Sequence, residues 1–239
     1  MNTHTPSSFL NGYLLSVAGI LLAVFLAGGL VWSDIEAVFY GFPTLTNEPF
    51  GGLSCPPLMT RSETASLRVT VGNQTDRPIS PLIRVEISGP GLLTSQREKT
   101  PTIQPGKSVT LEWPLSEENI DLERFIFAKA FRYPDYRTRL AEDTCGILVV
   151  NVPLPNGTTL LALWLGTSIL LTLGGMWLLE QQPPHSGKPI SLRRGLRLAA
   201  VFALAAVLFG LRGDWPLGLL MLVVLTLLAI VLIYFWLTH

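Results

Sequence analysis

Apolar runs without charge flank the chain, and a period-two alternation of apolar and polar residues fills its middle. Residues 9–32 carry no ionisable acid or base, residues 159–180 are apolar up to Glu180, and residues 217–237 are the most apolar of all. Residues 196–211 form a shorter run with Arg197 at its start. A bilayer core of about 30 Å takes about 20 apolar residues in a helix. Helices on the surface of a globular core show a polar stripe, and these runs lack one. The pattern predicts four transmembrane helices. The leader MNTHTPSSF has no Lys or Arg, and the apolar stretch after it exceeds that of a signal peptide. The first helix is expected to stay as an uncleaved anchor, with Ala27 and Gly29 as the small-residue pair of the cleaved alternative.

Between the first two apolar runs, residues 33–158 read as one β domain. Alternation appears in TASLRVTVG (64–72), LIRVEIS (82–88) and SVTLEW (108–113), and strands are expected at FIFAKAFRY (125–133) and CGILVVNV (145–152). A polar run at 92–99 is expected at a sheet edge. The breaks between them hold Asn73 to Pro78, Gly89-Pro90-Gly91 and Gln104 to Lys107, and the acidic SEENIDLER has some helical character. Six short strands without a βαβ rhythm predict an antiparallel sandwich. The fold class expected is therefore a membrane protein of α + all-β type, with four transmembrane helices and one antiparallel β-sandwich.

Charge orients this layout. Lys188, Arg193, Arg194 and Arg197 oppose one acid, Glu180, around the connector of the second and third helices, and such an excess marks cytoplasmic loops. A multi-pass protein of the cell membrane follows, with residues 1–8 and 181–195 inside, 33–158 and the turn 212–216 outside, and both termini cytoplasmic. The two cysteines, Cys55 and Cys145, both fall in the exported segment and are expected to form a disulfide. Across all 239 residues, 14% are charged against about 25% in soluble domains. The zero net charge gives no support for nucleic-acid binding.

The run SLRVTVGNQTDRPISPLIRVEISGP followed by IQPGKSVTLEW resembles the bacterial immunoglobulin-like modules of the CARDB type, over residues 60–152. Those modules carry a V-x-V-x-N turn signature and a later PG-x-S strand start. The resemblance implies that the extracytoplasmic antiparallel β-sandwich is immunoglobulin-like and tends to mediate contacts, and it transfers no site residues. The cysteines depart from the antibody arrangement, because Cys55 precedes the first strand expected and Cys145 opens the last.

Chemistry is sparse. His4, His185 and His239 are the only histidines, all outside the exported segment, and no hydrolase, phosphate-loop or dinucleotide motif appears. No catalytic residue, metal ligand or cofactor is assigned. The acids Glu117, Glu118, Asp121 and Glu123 lack the alternation and glycine of a calcium loop. The polar loop with Asp135, Tyr136, Arg137, Arg139, Glu142 and Asp143 is the candidate partner surface, with Asp135, Tyr136, Arg137 and Arg139 as its centre. Phe39, Tyr40, Phe42 and Phe50 are expected near the membrane face, as an aromatic cluster suited to a lipid or a partner helix or, equally, as interfacial anchors. Gly12 with Ser16, Gly28-Gly29, Gly166 and Gly174-Gly175 are expected helix-packing positions. Arg212-Gly213-Asp214 reads as a tight turn rather than an adhesion motif. Asn73 and Asn156 head N-x-T sequons.

These residues point to a non-enzymatic membrane-anchored interaction or assembly protein. Its expected partners are membrane lipids and other membrane or surface proteins, with no nucleic acid and with a homo-oligomer left open. The alternatives are an accessory subunit of a transport or export complex, and a membrane-face enzyme on lipid or glycan. The enzyme reading requires the carboxylates around Asp135 to Asp143 to converge.

Overall fold

A computed structural model describes residues 7–135, 138–181 and 188–238. They divide into two compact units: Trp32–Thr159, and the residues up to Val31 together with those from Leu160 on. Among the described residues the protein is α+β, with four helices and eight strands in two sheets.

Within Trp32–Thr159 the strands are β1 (Leu53–Ser54), β2 (Leu58–Thr60), β3 (Ala65–Gly72), β4 (Ile83–Gly89), β5 (Leu93–Lys99), β6 (Ser108–Leu115), β7 (Phe125–Arg132) and β8 (Ala141–Val150). One sheet has the order β1-β3-β6 and the other β2-β8-β7-β4-β5. The alternation seen in the sequence sets the inward faces, because successive side chains leave a strand on opposite sides. Leu67, Val69 and Val71 of β3 and Trp113 and Leu115 of β6 meet Ile83, Val85 and Ile87 of β4 and Ile126, Ala128 and Ala130 of β7 in one core.

Three features differ from the expectation. Two extra strands, β1 and β2, lie in a segment too short and too rich in Gly and Pro to show alternation. β2 runs parallel to β8, so the five-stranded sheet is mixed rather than antiparallel. β8 begins at Ala141, four residues before the predicted start, because Glu142, Asp143 and Thr144 disguise its first half as a loop. Cys145 thus lies mid-strand, and Cys55 sits between β1 and β2. The two form a disulfide, with their Cα atoms 6.5 Å apart, packed against the core. The acidic segment gives one 3₁₀ turn, Glu117–Asn119.

The helices are α1 (Ser7–Phe39), α2 (Gly157–Glu180), α3 (Lys188–Arg212) and α4 (Trp215–Thr238). Among the described residues, Leu10–Phe39, Gly157–Glu180 and Arg193–Arg212 are long and apolar enough to cross a membrane, and α4 contributes the shorter apolar stretch Trp215–Val231. α1 continues seven residues past the predicted end at Trp32. α3 starts at Lys188, so Arg197 lies inside it and pairs with Glu180. Many large apolar side chains, including Phe25, Leu170, Val201 and Ile230, face outward. α1 and α2 pack through small residues. A Cβ at Gly19 would collide with the Ser168 and Thr172 backbone, the Ser168 hydroxyl donates to the Gly19 carbonyl at 2.8 Å, and the Trp164 indole donates to the Leu22 carbonyl at 2.9 Å. Gly12, Ser16 and Gly175 share this interface, whereas Gly28, Gly166 and Gly174 face open space and are not packing positions here. Gly213, at φ +78°, makes the turn into α4.

Candidate functional site

The outer face of the five-stranded sheet is covered. β7 reads Phe-Ile-Phe-Ala-Lys-Ala-Phe, and all seven residues are buried. Ile126, Ala128 and Ala130 fill the inter-sheet core, while Phe125 and Phe127 join Ala37, Tyr40, Phe42 and Leu148 in a second cluster on the other side. The end of α1 and the strap after it supply that cover. Gly146 of β8 has no side chain because the α1 backbone at Ser33 lies directly on it, and its amide donates to the Asp34 carboxylate at 3.0 Å. The Tyr40 ring lies 4.6 Å from the Phe127 ring and 4.9 Å from that of Phe42. Of the four aromatics expected to receive a ligand, Tyr40 and Phe42 are thus engaged with the sheet and Phe50 belongs to the inter-sheet core. Phe39 alone is fully outward, 76% exposed.

Two polar knots hold the strap. Lys129 of β7 and Glu142 of β8 pair at 2.8 Å with 7% and 10% of their side chains exposed. The second Glu142 oxygen accepts the strap amides of Leu45, at 2.8 Å, and Thr46, at 3.3 Å. A buried ion pair offsets its desolvation only when its remaining lone pairs are also satisfied, and the strap does this. Glu86 of β4 is aligned with Lys129 across the ladder.

The second knot is Asp121. Its carboxylate accepts the Tyr40 hydroxyl at 2.6 Å, the Leu92 amide at 3.1 Å and the Leu122 amide at 2.8 Å. Burial pushes this carboxyl up, but the Tyr40 hydroxyl and the amides of Leu122, Leu92 and Gly91 outweigh it and hold it below the usual carboxylate value. Burial, joined by the adjacent carboxylate, pushes the Tyr40 phenol well above its ordinary range. Asp121 is thus a structural hub that ties the end of α1 to the tip of the β4–β5 hairpin. In the sequence Asp121 is one acid of a short segment with some helical character, and nothing there marks this role. The near-continuous apolar run of β7 was the available signal, since a strand buried on both faces loses its alternation.

The expected partner surface is only partly described. Tyr136 and Arg137 lie outside the described residues. Asp135 accepts the Ser80 amide and also caps the Thr138 turn. The Arg139 carbonyl accepts the Arg132 guanidinium at 3.4 Å. The carboxylates named for an enzymatic reading are bonded separately: Asp135 to Ser80, Glu142 to Lys129 and the strap, and Asp143 to the Thr144 amide at 3.0 Å. Burial raises the Asp143 carboxyl above its usual value. Among the described residues no group of three or more His, Cys, Asp or Glu is placed to hold a metal. Asn73 is 2% exposed; its amide donates to the Arg77 and Ile103 carbonyls at 2.8 Å, so it organises a turn. Asn156 accepts the Thr159 amide at 2.8 Å and caps α2.

No protein-family model matches the chain, and no curated protein matches it. Among solved structures, a β-glucosidase, EmGH1, from Erythrobacter marinus is similar at 18% identity and a TM-score of 0.28, over 46% of this chain and 18% of that one. Spo0M, a sporulation control protein from Bacillus subtilis, is similar at 13% identity and a TM-score of 0.27, over 42% of this chain and 48% of that one. The chain therefore spans less than half the length of either protein, and likeness at these scores carries no argument about fold or activity.

Proposed function

We propose that this chain is a non-enzymatic, membrane-anchored interaction or assembly protein. In this reading it crosses the cell membrane four times, with α4 as the last span. It presents a CARDB-like immunoglobulin sandwich outside the cytoplasm to other membrane or surface proteins. One observation carries the reading: a disulfide-bonded, two-sheet unit is continuous at both ends with long apolar helices. The disulfide fits an oxidising compartment, and the basic residues Lys188, Arg193, Arg194 and Arg197 favour a cytoplasmic connector. The buried acids of the β unit support a scaffold, since Asp121 and Glu142 spend their oxygens on hydroxyl, amide and ammonium donors of the fold itself.

Reporter fusions test the topology. A fusion at Asp76 is expected to be active only outside the cytoplasm, and one at Ser186 only inside. Activity of the Ser186 fusion outside would refute the orientation. Affinity purification from detergent-solubilised membranes, with crosslinking at Arg139, is expected to recover a discrete membrane or surface protein. Recovery of the chain by itself at every crosslinker length would refute the interaction role.

A further inference from the structure

A sheet edge presents unpaired amides and carbonyls to any extended segment that meets it, and folds blunt such edges. Three of the four edges of this β unit are blunted. β1 and β2 are two and three residues long. β6 carries Pro114, and its Glu112 carbonyl accepts the Lys99 ammonium at 2.6 Å. β5 is different. It runs seven residues without proline at the end of its sheet, exposed throughout except at half-buried Ser95. Among the described residues, no hydrogen bond reaches the backbone of Thr94 to Lys99 from outside the β4 ladder.

Charge on this open edge is one-sided. β5 sets Lys99, Arg97 and Ser95 opposite Ile83, Val85 and Ile87 of β4, so both cations stand in the row that continues the inter-sheet core. Lys99 lies 4.7 Å from the centre of the Trp113 ring and spends one of its three donors on the Glu112 carbonyl. Arg97 has no acid partner among the described residues. In the opposite row, Glu98 is taken by Arg84 at 2.8 Å. The edge therefore offers two cations two residues apart, about 7 Å along the strand, and its one acid is already paired. Such cations turn away apolar strands and copies of the same chain. An antiparallel pair of β5 strands would put Arg97 and Lys99 of one copy in the same row as those of the other, and like charges across a ladder repel. The same cations attract a strand that carries acids in that row.

We propose that β5 is a docking edge for an extended acidic segment of a partner protein, which joins the five-stranded sheet beside β5 with carboxylates at alternate positions facing Arg97 and Lys99. Main-chain hydrogen bonds hold the added strand, and the two cations select it. The inference rests on the interaction reading and names the chemistry of the partner.

The full chain in detergent micelles provides the test, with the fluorescein-labelled peptide Thr-Glu-Thr-Glu-Val-Glu-Thr as probe. Its glutamates all leave one side of an extended chain. Fluorescence anisotropy is expected to show saturable binding, weakened about tenfold by Arg97→Glu, because a cross-strand attraction becomes a repulsion. Arg97 is exposed, so the substitution leaves the core intact. The same variant is expected to gain binding of the peptide with lysine in place of glutamate, which an unfolded variant could not do. N-methylation of the peptide amides at one alternate set of residues is expected to abolish binding, and at the other set to spare it, since only one set faces β5. No saturable binding by the natural chain, equal affinity for Arg97→Glu, or tolerance of both N-methylated peptides would each overturn the inference. If the peptide fails to bind while crosslinking at Arg139 still recovers a discrete partner, the docking edge is refuted and the interaction reading stands. If both fail, that reading falls with it.

Discussion

At the scale of single residues, Asp121 and Asp143 are two carboxylates of one domain with opposite electrostatic histories. Donors from Tyr40 and the hairpin amides hold Asp121 below its usual value despite burial, whereas burial lifts Asp143. Their contributions to stability have opposite signs. A group whose folded value is depressed stabilises the fold above its unfolded value, and that stability is lost as pH falls through the folded value. A group whose folded value is raised binds its proton more tightly in the fold, so stability declines as pH climbs from the unfolded value through the folded one. Replacing Asp121 by Asn should therefore flatten the acid-side loss of stability, at a cost in stability at neutral pH of about 1–3 kcal/mol from donors left poorly paired. Replacing Asp143 by Asn should remove a decline that sets in as pH rises above the ordinary aspartate value, and raise stability at neutrality. Melting curves of the full chain in detergent from about pH 3 to pH 7 decide the matter; slopes that change in the same sense for both variants would contradict the assignment.

At the scale of elements, the strap after α1 is the feature on which the sheet's outer face depends. Lys129→Met should leave Glu142 buried without its cation, which costs about 3–5 kcal/mol when a buried pair is broken. The strap should then become cleavable by protease within residues 41–48. The double variant K129M/E142Q removes both charges of this pair and retains an oxygen for the Leu45 and Thr46 amides, so it should recover part of the loss, Glu86 staying buried beside the site. A double variant less stable than the single one would show that the pair itself, and not the orphaned charge, matters. The same elements mark how far the sequence could be read. β3, β4, β5 and β6 were legible because each alternates apolar with polar residues or is polar throughout. β7 was legible as a strand, while its second buried face was not, since nothing local says what covers a continuously apolar strand. β1 and β2 were illegible because two- and three-residue strands hold no period, and their pairing depends on β3 and β8 far along the chain. The hub at Asp121 was illegible for a related reason: Tyr40 lies 81 residues away, and only the fold brings it to the carboxylate.

At the scale of the whole molecule, the disulfide is the one covalent tie between distant parts of the β unit. Cys55 lies on the short passage from β1 in one sheet to β2 in the other, and Cys145 lies at the middle of β8, so the bond pins the crossing between sheets to a central strand. Its 90-residue separation gives a loop-closure contribution of about 4–5 kcal/mol in the chain-entropy account. For a unit of this size that corresponds to a fall in melting temperature of about 15–20 °C on reduction. The apolar helices lack cysteine and draw their stability from small-residue packing such as that of Gly19 on Ser168 and Thr172. Reduction of the full chain in detergent should therefore lower the transition followed by the β-sheet infrared signal and leave the helical signal unchanged up to the same temperature as before. Gly19→Leu should do the reverse, separating α1 from α2 while the β-sheet transition stays in place. A single transition moved equally by reduction and by Gly19→Leu would mean that the two units unfold as one body.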